Sequence, residues 1–419
     1  MGQSVAKVQL EDGLRKYRAG NYEGAIGKWK SVLSKVRSSN GQFTVLGYLV
    51  CAYFENGNYR EMLKCAIRQF DIADKQDITE MKAEAYLNLA RSNECLCEYY
   101  KAISYARHSL AIIVSQKEEK LFIKSQTHLC LAASYLGFGD FQSSISNATL
   151  ALELARTSQE KTLECNVFSV YGDIFASLKD YEQSLGYYIQ AHELVRRYGQ
   201  KWSPKIQMWT LLDLAVPYRK LKRLNQAMDA CEEVLKMSIK HNERMVQSRC
   251  LCILADIHRT KGDFQACYPR YESAIGFAIE ANDRHAQIQI ISGMAKALLL
   301  TKKTREAFEM FHRVLDLSRA TGNKMFMLRC HWILMELNQR LNDPTSAHEH
   351  AIEFDKCIDD MELRCAVCQL VMGDKPNVLR VLVCSHVCHS ACVHKEVIRN
   401  SQPCPNCLRP HHKSTQIYV

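Results

Sequence analysis

Along most of this chain apolar residues recur at spacings of three and four, and no stretch shows the alternation of a half-buried strand, which predicts amphipathic helices nearly throughout. The helices come in a repeating order. Turns built from Gly, Asn or Asp followed by an aromatic recur as Gly20-Asn21-Tyr22, Gly57-Asn58-Tyr59, Gly139-Asp140-Phe141, Lys179-Asp180-Tyr181 and Gly262-Asp263-Phe264. Three residues after each such aromatic, or at the matching place elsewhere, stands a small or compact residue: Ala25, Met62, Ala102, Ser144, Ser184, Ala227, Cys267, Ala307 and Ala347. The first and last are 322 residues apart over eight intervals, a period of about 40.

Twelve residues before most of these lies a second small residue: Gly13, Ala90, Ala132, Gly172, Ala215, Ala255 and Ala295. A constant offset of this kind predicts helical hairpins whose partners cross closely where both side chains are small. The rings four residues later, Trp29, Tyr188, Tyr271 and Phe311, are expected to fill the space between neighbouring units. This is the tetratricopeptide pattern with somewhat long repeats. It predicts a superhelix in which each unit contacts only its neighbours and which presents a concave face suited to binding peptides or helices.

The last unit departs from the pattern, with Met335 at a small-residue position and Pro344 opening its second helix, as a cap would. The helix before it, 325–341, places Leu328, Trp332, Met335 and Leu337 toward one side, a stripe that fits ordinary core or a surface for a partner helix.

Composition changes abruptly at Cys365. The pairs Cys365/Cys368, Cys384/His386, His389/Cys392 and Cys404/Cys407 supply eight thiolate or imidazole ligands, the number two tetrahedral zinc ions need. With the first and third pairs on one ion and the second and fourth on the other, the segment is cross-braced and holds a fold with little apolar core. Cys388 sits beside His389 and is read as a non-ligand, because His389 keeps the spacing.

The fold class is thus all-α: a tetratricopeptide superhelical solenoid followed by a small cross-braced zinc domain of RING type. The expected boundaries are a membrane-targeting segment at 1–10, a solenoid of about eight to nine hairpins at 11–355 with the last one or two as a cap, a linker at 356–363, the zinc domain at 364–410 and a tail at 411–419.

The remaining 12 of the 19 cysteines fall on helical faces, where they read as small buried apolar residues. No apolar run reaches the roughly 18 to 20 residues of a membrane span, and the N-terminus lacks a signal-peptide core, so a cytosolic protein is expected. The net charge of +10 is concentrated at the ends: residues 1–40 hold eight Lys/Arg against three Asp/Glu and residues 361–419 seven against three, which leaves about +1 for the middle. Such a distribution lacks the continuous basic stripe that a phosphate backbone requires, which argues against nucleic acid.

The chain begins Met1-Gly2-Gln3-Ser4, and Gly2 is the acceptor position for N-myristoylation. Ala6 stands where the usual motif has Ser or Thr, so acylation and a plain start both remain open. A single acyl chain binds a bilayer marginally, and the basic excess of residues 1–40 would supply a second attachment to an anionic membrane surface.

The zinc segment resembles RING domains, which act by holding a ubiquitin-conjugating enzyme. Their contact surface implies roles for Val367 and Pro405, whereas Leu408 stands where many active members have a cation and Arg409 follows it. The order of Gly2 start, repeats and two-histidine RING, with Tyr86–Glu94, Ala255–Arg259 and Cys404–Cys407, resembles the rapsyn family over the whole chain.

That resemblance implies a peripheral postsynaptic scaffold on the cytoplasmic face of the plasma membrane. It would self-associate through its repeats and cluster nicotinic acetylcholine receptors, meeting a cytoplasmic receptor helix through the segment holding Leu328, Trp332 and Met335. Its RING would contact the dystroglycan-linked cytoskeleton. The alternative is a RING-type ubiquitin or ubiquitin-like ligase whose repeats select substrates. The C-terminal Ile417-Tyr418-Val419 offers a further, weaker motif for addition to a sheet edge.

Overall fold

The Gly/Asn/Asp-aromatic turns are helix boundaries with a mechanism. Gly20, Gly57, Gly139 and Gly262 take positive φ at the end of one helix, and the next residue's side chain, Asn21, Asn58, Asp140 or Asp263, accepts a hydrogen bond from a backbone N–H in the first turn of the following helix. The aromatic is then the first helical residue. The computed structural model describes residues 2–114, 120–373, 378–398 and 403–409; the C-terminal Ile417-Tyr418-Val419 motif lies outside them.

Among the described residues the helices form nine hairpins. They are α1 (Gly2–Arg18) with α2 (Tyr22–Leu33), α3 (Ser39–Glu55) with α4 (Tyr59–Gln76), α5 (Thr79–Cys95) with α6 (Tyr99–Val114), α7 (Leu121–Phe138) with α8 (Phe141–Thr157), and α9 (Lys161–Ser177) with α10 (Tyr181–Tyr198). The sixth has a divided first helix, α11 (Pro204–Asp213) and α12 (Ala215–Lys220), against α13 (Leu224–Lys240). Pro217 explains the division, since it cannot donate to the carbonyl of Asp213 four residues earlier. Then come α14 (Arg244–Lys261) with α15 (Phe264–Glu280), α16 (Arg284–Leu300) with α17 (Thr304–Thr321), and α18 (Lys324–Arg340) with α19 (Pro344–Asp360).

The twelve-residue offset is the hairpin crossing. The compact residues from Ala25 to Ala347 all lie buried on second helices, and Ala90, Ala132, Ala215, Ala255 and Ala295 lie fully buried on first helices. Ser144 Oγ donates to the carbonyl of Ala132 and Ser184 Oγ to that of Gly172, each at 2.8 Å. The rings sit partly elsewhere than expected. Tyr188 fills the space above Gly172 and Trp29 that above Gly13, both within one hairpin, because glycine leaves room for a ring at the crossing. Trp29 also reaches the next unit, stacking on Tyr48 at 5.2 Å.

The expectation that units contact only their neighbours is overturned. Each of the first four hairpins also meets the one four or five places along, because the superhelix completes a turn. Tyr22 Oη lies 3.0 Å from Ser203 Oγ, and Lys205 Nζ donates to the carbonyl of Glu55 at 2.7 Å. Arg284 lies 3.5 Å from Glu98, and Lys324 stands 4.8 Å from the centroid of Phe138. The concave face is therefore walled into a water-accessible cavity of about 2130 Å³.

Two expected boundaries fall inside continuous structure. Helix α1 runs unbroken from Gly2 through position 10 into the first hairpin. The span 356–363 is no linker: α19 continues to Asp360, and Cys357, Ile358, Met361 and Leu363 are buried where the solenoid meets the C-terminal domain. That domain contains strands β1 (Leu379–Val381) and β2 (Val387–His389), paired antiparallel with Arg380 opposite Cys388, and a short helical turn, α20 (Ser390–Cys392).

Candidate metal centre

Two groups of side chains converge in the C-terminal domain: Cys365, Cys368, His389 and Cys392 in one, Cys384, His386, Cys404 and Cys407 in the other, with the candidate donor atoms of each within 4.8 Å of one another. The crossed pairing follows from the fold. The β1–β2 hairpin brings Cys384 and His386 to its turn and His389 to the end of β2, whereas the first and last pairs enter from outside it. Cys368 Sγ lies 3.3 Å from His389 Nδ1, and Cys384 Sγ lies 3.3 Å from His386 Nδ1. A tetrahedral zinc with metal–sulfur and metal–nitrogen bonds of about 2.3 and 2.0 Å would place such a pair roughly 3.5 Å apart, so the donors fit that ion.

Cys388 alternates with His389 along β2 and is fully buried, outside both groups. A hydrogen bond with Cys388, followed by the backbone N–H groups of Cys368, His389 and Val367, holds the Cys365 thiol down at about 3, while the Cys388 thiol is pushed up. The backbone N–H of Arg409 lowers Cys407, and burial pushes Cys384 and Cys392 up to about 12, a cost that a dipositive ion in each group would reverse.

The domain does not stand alone. Leu379, Leu382, Val387 and Val393 share one apolar cluster with Phe175 and Leu178 of the fifth hairpin and with Ile358 and Met361. Asp180 fastens the seam. Its Oδ1 caps α10 by accepting from Gln183 N at 3.2 Å, and its Oδ2 accepts from the buried backbone N–H of Leu379 at 2.8 Å. Gln183 Nε2 reaches the Leu379 carbonyl, and Gln142 Nε2 the Cys384 carbonyl. Asp180 was legible as a turn residue, but nothing in the sequence marked its second role.

The other predicted positions scatter. Leu328 is buried in the shared core, Trp332 is 42% exposed with its ring 5.2 Å from Phe354, and Met335 is half-buried. Leu328 and Trp332 line the cavity, while Leu337 is buried among α16 and α17 residues. Val367 is half-buried against the core, Pro405 is exposed, and Leu408 is 74% exposed. Gly2 opens α1. No helix among the described residues is long and apolar enough to cross a membrane.

A family model described as the rapsyn N-terminal myristoylation and linker region matches residues 1–80. Among solved structures, a Rap protein complexed with competence and sporulation factor superposes with a TM-score of 0.60 at 13% identity, covering 86% of this chain and 99% of that one. A Rap conjugation gene regulator in complex with the Phr* peptide gives 0.57 at 14%, covering 85% and 96%. These likenesses show the helical-repeat fold. The chain is 34% identical over 409 residues to the 43 kDa receptor-associated protein of the synapse from Tetronarce californica and 37% identical to that from Gallus gallus, covering 98% of each chain. An alignment that includes the repeats and both Cys/His groups leaves one conclusion: this chain belongs to the rapsyn family.

Proposed function

We propose that the protein is a peripheral membrane scaffold that self-associates and clusters nicotinic acetylcholine receptors at the postsynaptic membrane, joining them to the dystroglycan-linked cytoskeleton. The observation that carries this reading is the family relationship over 98% of the chain, to proteins named for receptor association at the synapse. Acylation at Gly2 anchors the chain to the cytoplasmic face of the plasma membrane, supported by the match of a myristoylation-region model to residues 1–80. Trp332, exposed at the rim of the cavity beside Phe354, is the receptor-helix contact, with Leu328 behind it in the core and Met335 one turn on.

The two Cys/His groups hold one zinc ion each. Zinc binding supplies folding energy to a domain whose strands are only three residues long. Every ligand position is filled by the chain, so both sites are structural.

The test is co-expression of the protein with receptor in non-muscle cells that contain no other synaptic proteins. Receptor clusters that coincide with the protein are expected, and Gly2→Ala should disperse it to the soluble fraction. Uniform receptor distribution despite membrane-bound protein would overturn the scaffold reading.

A further inference from the structure

One wall of the central cavity holds cations that its carboxylate does not balance. Arg219 and Lys220 of α12, Arg259 of α14, Lys296 of α16 and Arg329 of α18 all line it. Asp256 is shared between two of them: Oδ2 lies 2.9 Å from Arg219, and Oδ1 lies 2.7 Å from Arg259 and accepts from Tyr271 Oη at 2.6 Å. Against the cost of burial, these guanidiniums hold the Asp256 carboxyl well below the usual range. Its single negative charge is therefore already committed.

The other three cations form no ion pair among the described residues. Lys220 Nζ stands 5.8 Å from the centroid of Tyr181, and Arg329 donates to the carbonyl of Ser177 at 3.5 Å with its guanidinium 5.6 Å from the Phe326 centroid. Burial, then Arg219 and Lys296, pushes Lys220 down to about 7, and burial, then Arg329, pushes Lys296 down to about 8. Lys220 remains open to the solvent of the cavity. The Arg219 side chain is nine-tenths buried, and its enclosed Nε has no hydrogen-bond partner among the described residues, which leaves an uncompensated donor behind the wall. Unpaired donors and mutually repelling charges converging from four helices cost stability unless something anionic occupies the space between them.

We propose that this wall binds a small polyanion bearing several phosphate groups, of the inositol polyphosphate kind. Four cations in excess of the carboxylate call for several closely spaced negative charges, which one carboxylate or one phosphate monoester does not supply. The site faces the interior of the superhelix, where a planar bilayer cannot reach. Because Lys220 belongs to the sixth hairpin and Arg329 to the ninth, such a ligand would tie successive units of the superhelix together.

The test is a titration of the full-length zinc-loaded protein with inositol hexakisphosphate, followed by calorimetry and thermal melting, with zinc content measured after each melt. Binding near one equivalent is expected, with a melting-temperature rise of about 3 °C at a hundredfold excess over Kd. The triple variant Lys220→Gln/Lys296→Gln/Arg329→Gln should lose the binding at least a hundredfold, yet melt no lower than wild type without ligand, since it relieves repulsion. Equal sulfate at matched ionic strength should not substitute. The proposal fails if inositol hexakisphosphate does not bind, if sulfate substitutes for it, or if the triple variant binds or loses zinc as wild type does, which would mark metal chelation.

Discussion

Replacing Asp180 by Ala removes three hydrogen bonds, one of them a part-buried bond from Gln183 Nε2 to Oδ2 at 2.7 Å, and the other two carry the energetic cost. The first is the cap of α10, an Oδ1 bond to Gln183 N at 3.2 Å, whose loss costs about 1 kcal/mol. The second is the Oδ2 bond to Leu379 N at 2.8 Å. Its loss leaves a buried N–H without an acceptor, at a cost of about 1–3 kcal/mol. Asp263→Ala is the control for the cap, since Asp263 caps α15 in the same way, accepting from Ala266 N at 3.1 Å, and its other side-chain partner is the local His258 at 3.1 Å rather than any described residue of the C-terminal domain. The difference between the variants isolates the seam at about 2 kcal/mol, equivalent to roughly a 30-fold rise in local opening. Hydrogen exchange read by mass spectrometry over residues 363–373 and 378–393 should show that increase in Asp180→Ala and none in Asp263→Ala. Asp180→Asn should fall between, because one amide oxygen cannot serve both donors. Equal exchange in the two alanine variants would refute the claim that the fifth hairpin holds the metal-binding domain.

Three other outcomes follow from the same coordinates. Metal analysis should give two zinc ions per chain, and Cys404→Ser, which removes a fully buried donor of the second group, should lower that to one or none while the far-ultraviolet helical signal stays near wild type. Gly172→Ala should destabilise the repeats by about 1–3 kcal/mol in denaturant melts, because the new methyl would fall within the Tyr188 ring that packs there. Burial, then His350, pushes the His331 imidazole down to about 4, so the folded chain binds that proton less readily than the unfolded chain. Its contribution is therefore complete above about pH 6.5 and is lost as pH falls toward 4, up to ~3 kcal/mol, and His331→Leu should flatten the stability profile in that window.

The parts of this structure legible in the sequence are those set by residues close together along the chain. The twelve-residue offset from Gly172 to Ser184 announces a crossing because both residues belong to one hairpin, and it ends in a 2.8 Å bond. The four Cys/His pairs were equally plain, since metal ligation demands particular residue types. What was illegible depends on residues far apart in sequence: Lys205 against the end of α3, Lys324 over Phe138, and Asp180 on Leu379, separated by 199 positions. Each is an ordinary residue in its own neighbourhood. The stripe Leu328, Trp332 and Met335 shows the same limit, because helical spacing placed them on one side while closure of the superhelix decided that Leu328 is buried and Trp332 exposed.

The five-hairpin period also explains where the C-terminal domain sits. Turns within the first four hairpins meet, in order, the starts of hairpins six to nine: Tyr22 meets Ser203, Gly57 meets Met245, Glu98 meets Arg284, and Phe138 meets Lys324. The next turn in the series, Lys179-Asp180-Tyr181, has no tenth hairpin to meet, and the metal-binding domain takes that place through Leu379 and Leu363. The two modules are therefore successive members of one stack rather than a solenoid with an appended finger. Ligand binding to a folded state stabilises whatever that state requires. Metal occupancy and the integrity of the fifth hairpin should then report on each other, so that removing the metal with a chelator raises hydrogen exchange at the start of α10 while exchange in α2 stays unchanged. Uniform exchange in α10 with and without metal would show that the apolar seam alone holds the domain in place.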